Sequence, residues 1–112
     1  MALFTTGQIV TVFRNRLDLA GVAGYPERAE QMETLARAMP GFVDVKSFVA
    51  DDGERVTIST FADAESVRAW KQQADHLLAQ AEGRSSYYAS YTIQVCETVR
   101  AGEFTSPRRE GP

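Results

Sequence analysis

Two strand-like segments meet at an acidic turn, and a helical segment flanks the pair on each side; that order leaves few folds open. Phe42 to Ala50, FVDVKSFVA, and Arg55 to Phe61, RVTISTF, are rich in β-branched and aromatic residues. Between them lies Asp51-Asp52-Gly53-Glu54, where Gly53 can take the positive φ that a tight hairpin demands. The two strands are therefore expected to pair antiparallel. The same four residues contain three carboxylates but lack the rest of a calcium-loop spacing, so they read as a turn.

The flanking segments follow helical rules. Upstream, Pro26 suits a first helical turn, Tyr25, Ala29, Met32, Leu35, Ala36 and Met39 recur at helical spacing, and Pro40-Gly41 ends the run. Downstream, Asp63 stands where an N-cap belongs, Glu65 adds charge favourable to the helix dipole, and Gly83 supplies a stop. Val67, Trp70, Ala74, Leu77, Leu78 and Ala81 share one arc of this helix, opposite Glu65, Gln72 and His76. The only Trp and the only His of the chain thus lie on one helix but on different faces.

Two outer strands complete the pattern. Gln8 to Leu17, QIVTVFRNRL, alternates Ile9, Thr11, Phe13 and Asn15 against Val10, Val12, Arg14 and Arg16. Asn15 is the polar end of a mostly apolar row, either closing the strand end or facing a ligand. Ser86 to Val99, SYYASYTIQVCETV, is expected to put Tyr87, Ala89, Tyr91, Ile93 and Val95 on one face, with Tyr88, Ser90, Thr92, Gln94 and Cys96 on the other. The order β-α-β-β-α-β is the ferredoxin-like plan, an α+β fold with four antiparallel strands and both helices on one face. Its second sheet face keeps apolar residues that one chain cannot hide, so a homodimer is expected.

A length of 112 residues fits one domain, expected over 7–104 with flexible ends at 1–6 and 105–112. The net charge of -3 provides no basic footprint for nucleic acid. One cysteine, Cys96, excludes an intrachain disulfide and a cysteine-built metal site, in keeping with a reducing cytoplasm. No export signal is apparent, and no apolar run nears the ~20 residues that span a bilayer, so no membrane role is expected.

Asn15-Arg16-Leu17 closing the first strand, Met39-Pro40-Gly41-Phe42 before the second, Thr60-Phe61 leading into a helix with Trp70 and then His76, and a tyrosine-rich last strand together resemble the antibiotic biosynthesis monooxygenase family. The resemblance covers roughly Gly7 to Phe104. It implies a dimeric α+β barrel of ferredoxin-like subunits. Family members include oxygenases of aromatic polyketides that need no metal or prosthetic group, and haem-degrading monooxygenases. Asn15 and Trp70 match the site positions of the haem-degrading branch, and His76 is the counterpart of its later histidine, six residues after Trp70 rather than at the longer family gap.

The resemblance implies a small aromatic substrate in a pocket between sheet and helices, with no cofactor, Trp70 as wall, Asn15 as hydrogen-bonding group and His76 or a tyrosine handling protons. The alternatives are haem bound by His76, and a non-catalytic dimeric binding or stress-related module. Each residue also has a plainer reading: Trp70 as core, His76 as a solvated-face residue, Cys96 as a small strand residue, the tyrosines as packing and Arg84 as a partner of helix carbonyls. On a straight helix, six residues set Trp70 and His76 about 120° apart. A shared pocket thus needs a kink between Lys71 and Asp75, or a histidine that reaches the rim or the other subunit.

Overall fold

A computed structural model describes residues 2–19, 24–80 and 87–107, and of residues 76–80 the backbone alone. The elements are β1 (Ile9–Leu17), α1 (Tyr25–Arg37), β2 (Phe42–Val49), β3 (Arg55–Phe61), α2 (Ala64–Gln80) and β4 (Tyr88–Glu97). One four-stranded sheet has the order β2-β3-β1-β4, and every neighbouring pair is antiparallel. This is the ferredoxin-like α+β fold that the element order dictates. Of the expected helix ends, Gly83, Ala81 and Arg84 lie outside the described residues, as does Ser86 at the start of the last strand. No helix among the described residues is long and apolar enough to cross a membrane.

The β2–β3 turn is closed by its own backbone, Gly53 N–H donating to the Ala50 carbonyl at 2.9 Å and Ala50 N–H to the Glu54 carbonyl at 2.8 Å. Gly53 has a φ of +91°, the conformation that the turn needs. The acidic residues then clamp the hairpin to β1. Arg14 gives Glu54 two hydrogen bonds, at 2.8 and 3.2 Å, and Arg16 reaches the Asp52 carboxylate at 2.8 Å. Asp52 is held below the ordinary carboxylate range first by the Glu54 N–H and then by Arg16, and Glu54 is held down chiefly by Arg14. Two of the three carboxylates, Asp52 and Glu54, are thus used by the fold, and among the described residues no cluster could hold a metal ion.

Both helices turn their apolar arcs inward. On α1 the residues withdrawn from solvent include Tyr25, Ala29, Met32, Leu35 and the fully buried Ala36, and Met39 follows just beyond the helix. Arg28 shares that arc. On α2, Val67, Trp70 and Ala74 are the half-buried positions expected from the spacing. Asp63 caps α2, its Oδ1 accepting from Ser66 N–H at 2.8 Å and from Ser66 Oγ at 2.7 Å. Phe61, the one large apolar side chain with no exposure among the described residues, joins this helix to the sheet. Its ring stacks on Trp70 at 6.4 Å and meets Phe42 edge-on at 5.8 Å.

The Pro40-Gly41 stop has a further use. Gly41 has a φ of +83°, its carbonyl accepts from Ala62 N–H at 2.7 Å, and a Cβ placed on it would lie 2.6 Å from Ser66 Cβ and against Ser66 Oγ. The first turn of α2 therefore rests on a backbone with no side chain. A Cβ on Gly53, by contrast, would meet open space. Gly41→Ala combines left-handed strain with a clash and is expected to cost about 2–5 kcal/mol, against about 1 kcal/mol for Gly53→Ala. Urea unfolding of the two variants checks this; equal costs would show that α2 does not depend on the close approach.

Candidate functional site

Cross-strand partners in an antiparallel sheet share a face, so the register lists what each face carries. On β1, Ile9 pairs with Phe61 and Glu97, Thr11 with Ser59 and Val95, Phe13 with Thr57 and Ile93, and Asn15 with Arg55 and Tyr91. Because Phe61 lies under Trp70 and Arg55 under Tyr25 of α1, this is the helix-side face. Val10, Val12, Arg14 and Arg16 occupy the other.

Between Arg16 and Leu17 the β1–β4 register shifts: Arg16 pairs with Ser90, but Leu17 pairs with Tyr88. The bulge leaves Ala89 without a partner and reverses the alternation beyond it. Tyr88 consequently stands on the same face as Tyr91, their rings 5.8 Å apart, where strict alternation places the two on opposite faces. Phe13 touches both, at 5.3 Å from Tyr88 and 5.4 Å from Tyr91. Tyr25 closes the group from α1, 6.0 Å from Tyr88 and 5.5 Å from Tyr87. All four tyrosines of the chain thus join Phe13 in one aromatic cluster at the Asn15 end of the sheet.

Asn15 is 2% exposed, and its Oδ1 is buried without a hydrogen-bond partner. Leaving a buried amide oxygen unpaired costs about 1–3 kcal/mol, so a sequence selected for stability alone would fill or pair it. Beside it, the half-buried Arg55 lays its guanidinium over the Tyr25 ring at 5.8 Å from the ring centre. The Tyr88 phenol is pushed well above its ordinary pKa, first by burial and further by the Tyr25 hydroxyl it bonds with. It therefore stays protonated at neutral pH and acts as a hydrogen-bond donor rather than as a base.

Trp70 faces the same side of the sheet, at its other end. The Phe61 row and the Asn15 row are six residues apart on β1, about 20 Å at the usual rise per residue. Between them the floor is Thr11, Ser59 and Thr57, small hydroxyl residues where a packed helix–sheet core has large apolar ones. Among the described residues only Ala36 and Phe61 are buried apolar side chains. On β4 the row Tyr91, Ile93 and Val95 is left 53–62% exposed on the helix side. Two shallow surface hollows lie elsewhere, one of about 410 Å³ on α1 at Glu27, Glu30 and Gln31, the other of about 300 Å³ at Pro40, Asp63 and Ser66.

The helix α2 runs unbroken through position 76, and Lys71 and Asp75 bridge one full turn at 2.8 Å, so the kink that would turn position 76 toward Trp70 is absent. The His76 side chain lies outside the described residues. The sequence points to Asn15 and Trp70 and allows a tyrosine of the last strand in the pocket, but it gives Tyr25 only as a helix-face residue and does not single out Arg55. Arg55 was legible only through the hairpin register, and Tyr88 only through the bulge.

Fold and face together define a ferredoxin-like α+β protein whose helix-side sheet face carries small hydroxyl residues along its middle and an aromatic cluster at the Asn15 end. The chain belongs to the family of YqjZ, an uncharacterized protein of Bacillus subtilis, to which it is 36% identical over 77 residues, 69% of this chain and 68% of that one. No protein-family profile matches the chain. Among solved structures it is similar to a candidate antibiotic biosynthesis monooxygenase from Nitrosomonas europaea, with a TM-score of 0.67 and 14% identity over 84% of this chain and 92% of that one. It is also similar to the heme degrader MhuD of Mycobacterium tuberculosis, solved with two hemes in its active site, with a TM-score of 0.61 and 14% identity over 85% and 99% of the two chains. At these identities the likeness is one of fold.

If Asn15 is kept for a ligand, removing its polarity relieves the fold. Asn15→Leu, close to it in shape, is expected to raise the stability of the ligand-free protein by about 1 kcal/mol. Thermal or urea unfolding measures it; a loss of 1 kcal/mol or more would mean that Asn15 is a structural residue.

Proposed function

We propose that the protein is a monooxygenase of the antibiotic biosynthesis type, oxygenating a small aromatic or polyketide-like substrate between the sheet and the helices. The observation that carries this reading is the buried, unpartnered Asn15 Oδ1 inside an aromatic cluster. Flat apolar walls bind an aromatic ring. One orphaned polar atom orients it. The fold is the one shared with the Nitrosomonas europaea candidate monooxygenase.

In this reading the substrate is an electron-rich phenol or anthrone and is its own reductant. Loss of a proton gives a carbanion that reduces oxygen; one oxygen atom becomes the product carbonyl, replacing two hydrogens, and the other leaves as water. The protein has three tasks: to exclude water, to hold the ring, and to assist the proton's departure. Phe13, Tyr88 and Tyr91 hold the ring, Asn15 hydrogen-bonds its hydroxyl, and Trp70 closes the far end of the face. His76 is the residue whose ordinary pKa suits the proton transfer.

The haem-degrading alternative is supported by the fold shared with MhuD. In it, the only histidine would hold the iron, with Asn15 and Trp70 facing the porphyrin. The straight α2 sets position 76 about 120° around from Trp70, which fits that group poorly. Oxygen uptake with 1,8-dihydroxyanthrone, without added metal or flavin, decides. Asn15→Ala is expected to lower kcat/KM about 100-fold, and Trp70→Phe by a few-fold. No uptake with any phenol or anthrone would overturn the reading: saturable haem binding lost in His76→Ala would then favour haem degradation, and neither activity the non-catalytic module.

We also infer a homodimer. The radius of gyration of 15.8 Å exceeds the roughly 13 Å of a compact chain of this length. Tyr91, Ile93 and Val95 form an exposed apolar strip, and Phe48 is 47% exposed on the other face. Light scattering is expected to return twice the chain mass, with Ile93→Glu shifting it to one chain mass; a monomeric wild-type protein would overturn the inference.

A further inference from the structure

Three arginines lie on the strands, and two are spoken for. Arg14 and Arg16 point to the far face and pair with Glu54 and Asp52. Arg55 is on the helix-side face, half-buried, and among the described residues it has no carboxylate and no hydrogen-bond acceptor, only the Tyr25 ring beneath its guanidinium. A guanidinium carries five donors, and those of the half-buried Arg55 remain open to water or to an incoming acceptor. Its direct cross-strand partner is Asn15. Cross-strand partners have Cβ atoms about 5 Å apart, so a donor group with no protein acceptor among the described residues and an unpaired acceptor start from neighbouring positions on one face of the sheet.

The two demands are complementary. Asn15 Oδ1 is 98% withdrawn with its residue and needs a hydrogen to accept, whereas Arg55 needs an oxygen, best a charged one, to donate to. Phe13, Tyr88 and Tyr91 stand beside them as aromatic walls. We propose that the site takes a planar aromatic acid that also carries a free hydroxyl, the hydroxyl donating to Asn15 Oδ1 and the ionised oxygen accepting from Arg55, which selects ligands by charge. This names the substrate class of the site and rests on the reading of Asn15 as a ligand-binding residue, though not on any turnover. A neutral hydrocarbon would leave both groups unpaired, and an aromatic acid without the hydroxyl would leave Asn15 as it is in the ligand-free chain.

Calorimetric titration of the full-length protein with three matched compounds tests this: 4-hydroxy-2-naphthoate, 2-naphthoate and 1-naphthol. The first is expected to bind about tenfold or more tightly than either of the others. Arg55→Gln is expected to weaken both carboxylates about tenfold and leave 1-naphthol unchanged; Asn15→Leu is expected to weaken both hydroxyl compounds and spare 2-naphthoate. Arg55→Lys, which keeps the charge, should recover part of the loss. Circular dichroism checks that each variant folds, and if Arg55→Gln does not, the three-compound comparison on the unaltered protein decides alone. Equal affinity for the three compounds, no binding of 4-hydroxy-2-naphthoate, or an Arg55→Gln variant that binds it unchanged would each overturn the proposal. The expected binding pattern without oxygen uptake would sink the monooxygenase reading and leave this one standing; oxygen uptake with the anthrone alongside equal affinity for the three naphthalene compounds would do the reverse.

Discussion

The double pairing of β1 is the constraint on which the rest depends. From Ile9 to Asn15 it holds continuous register with β3 on one side and β4 on the other. Period-two alternation then forces Arg14 and Arg16 to one face and Asn15, between them, to the opposite one. The two arginines are caught by Glu54 and Asp52 of the hairpin. Exposed ion pairs of this kind are worth little as stability. Their effect is on register: a slip of one residue would take both arginines from the turn and move Asn15 out of the aromatic cluster. The acidic turn and the candidate site are therefore two consequences of one alignment.

Immediately past that aligned stretch the register breaks, and the break completes the site. The bulge at Ala89 brings Tyr88 round to join Tyr91 and Phe13, and through Tyr88 the cluster reaches Tyr25 on α1. Without it, Tyr88 would face away and α1 would lose its aromatic contact to β4 at this point. The helix–sheet layer is joined at two ends instead of being packed throughout, by Phe61, Trp70 and Gly41 at one and by the tyrosines at the other. Thr11, Thr57 and Ser59 lie between. That distribution puts small polar residues at the centre of the face and the buried, unpaired Asn15 Oδ1 at the tyrosine end.

Much of this was legible in the sequence because it rests on periodicity and punctuation. The hairpin, the Asp63 cap, the inward arcs of both helices and the element order all follow from spacing and from residues with a single conformational use. Tertiary consequences were not legible in the same way. Ala89 carries no mark of a bulge, since neither Gly nor Pro announces it, and strict alternation therefore misassigns Tyr88. Arg55 opens a strand next to an acidic turn and looks like one more partner for it; only the register shows that β1 supplies those partners. Alternation fixes the face of Asn15 and says nothing of distance along it, so the roughly 20 Å scale that strand rise sets between the Asn15 row and the Phe61 row under Trp70 came only with the pairing.

Fold likeness at 14% identity carries no chemistry by itself. What discriminates between an enzyme, a haem protein and a passive module is local energetics. A module that only assembles would gain by pairing the Asn15 oxygen or replacing it with an apolar group, because the unpaired atom costs about 1–3 kcal/mol and stabilises nothing in the ligand-free chain. An axial iron site needs a ligand aimed into the face, and the straight helix sets the one histidine position a third of a turn from the tryptophan that faces it. An orienting site for an aromatic ring needs neither. It requires flat walls, a polar atom left open and a countercharge, and the residues proposed for those roles, the tyrosines with Phe13, Asn15 and Arg55, share one face at one end of the sheet.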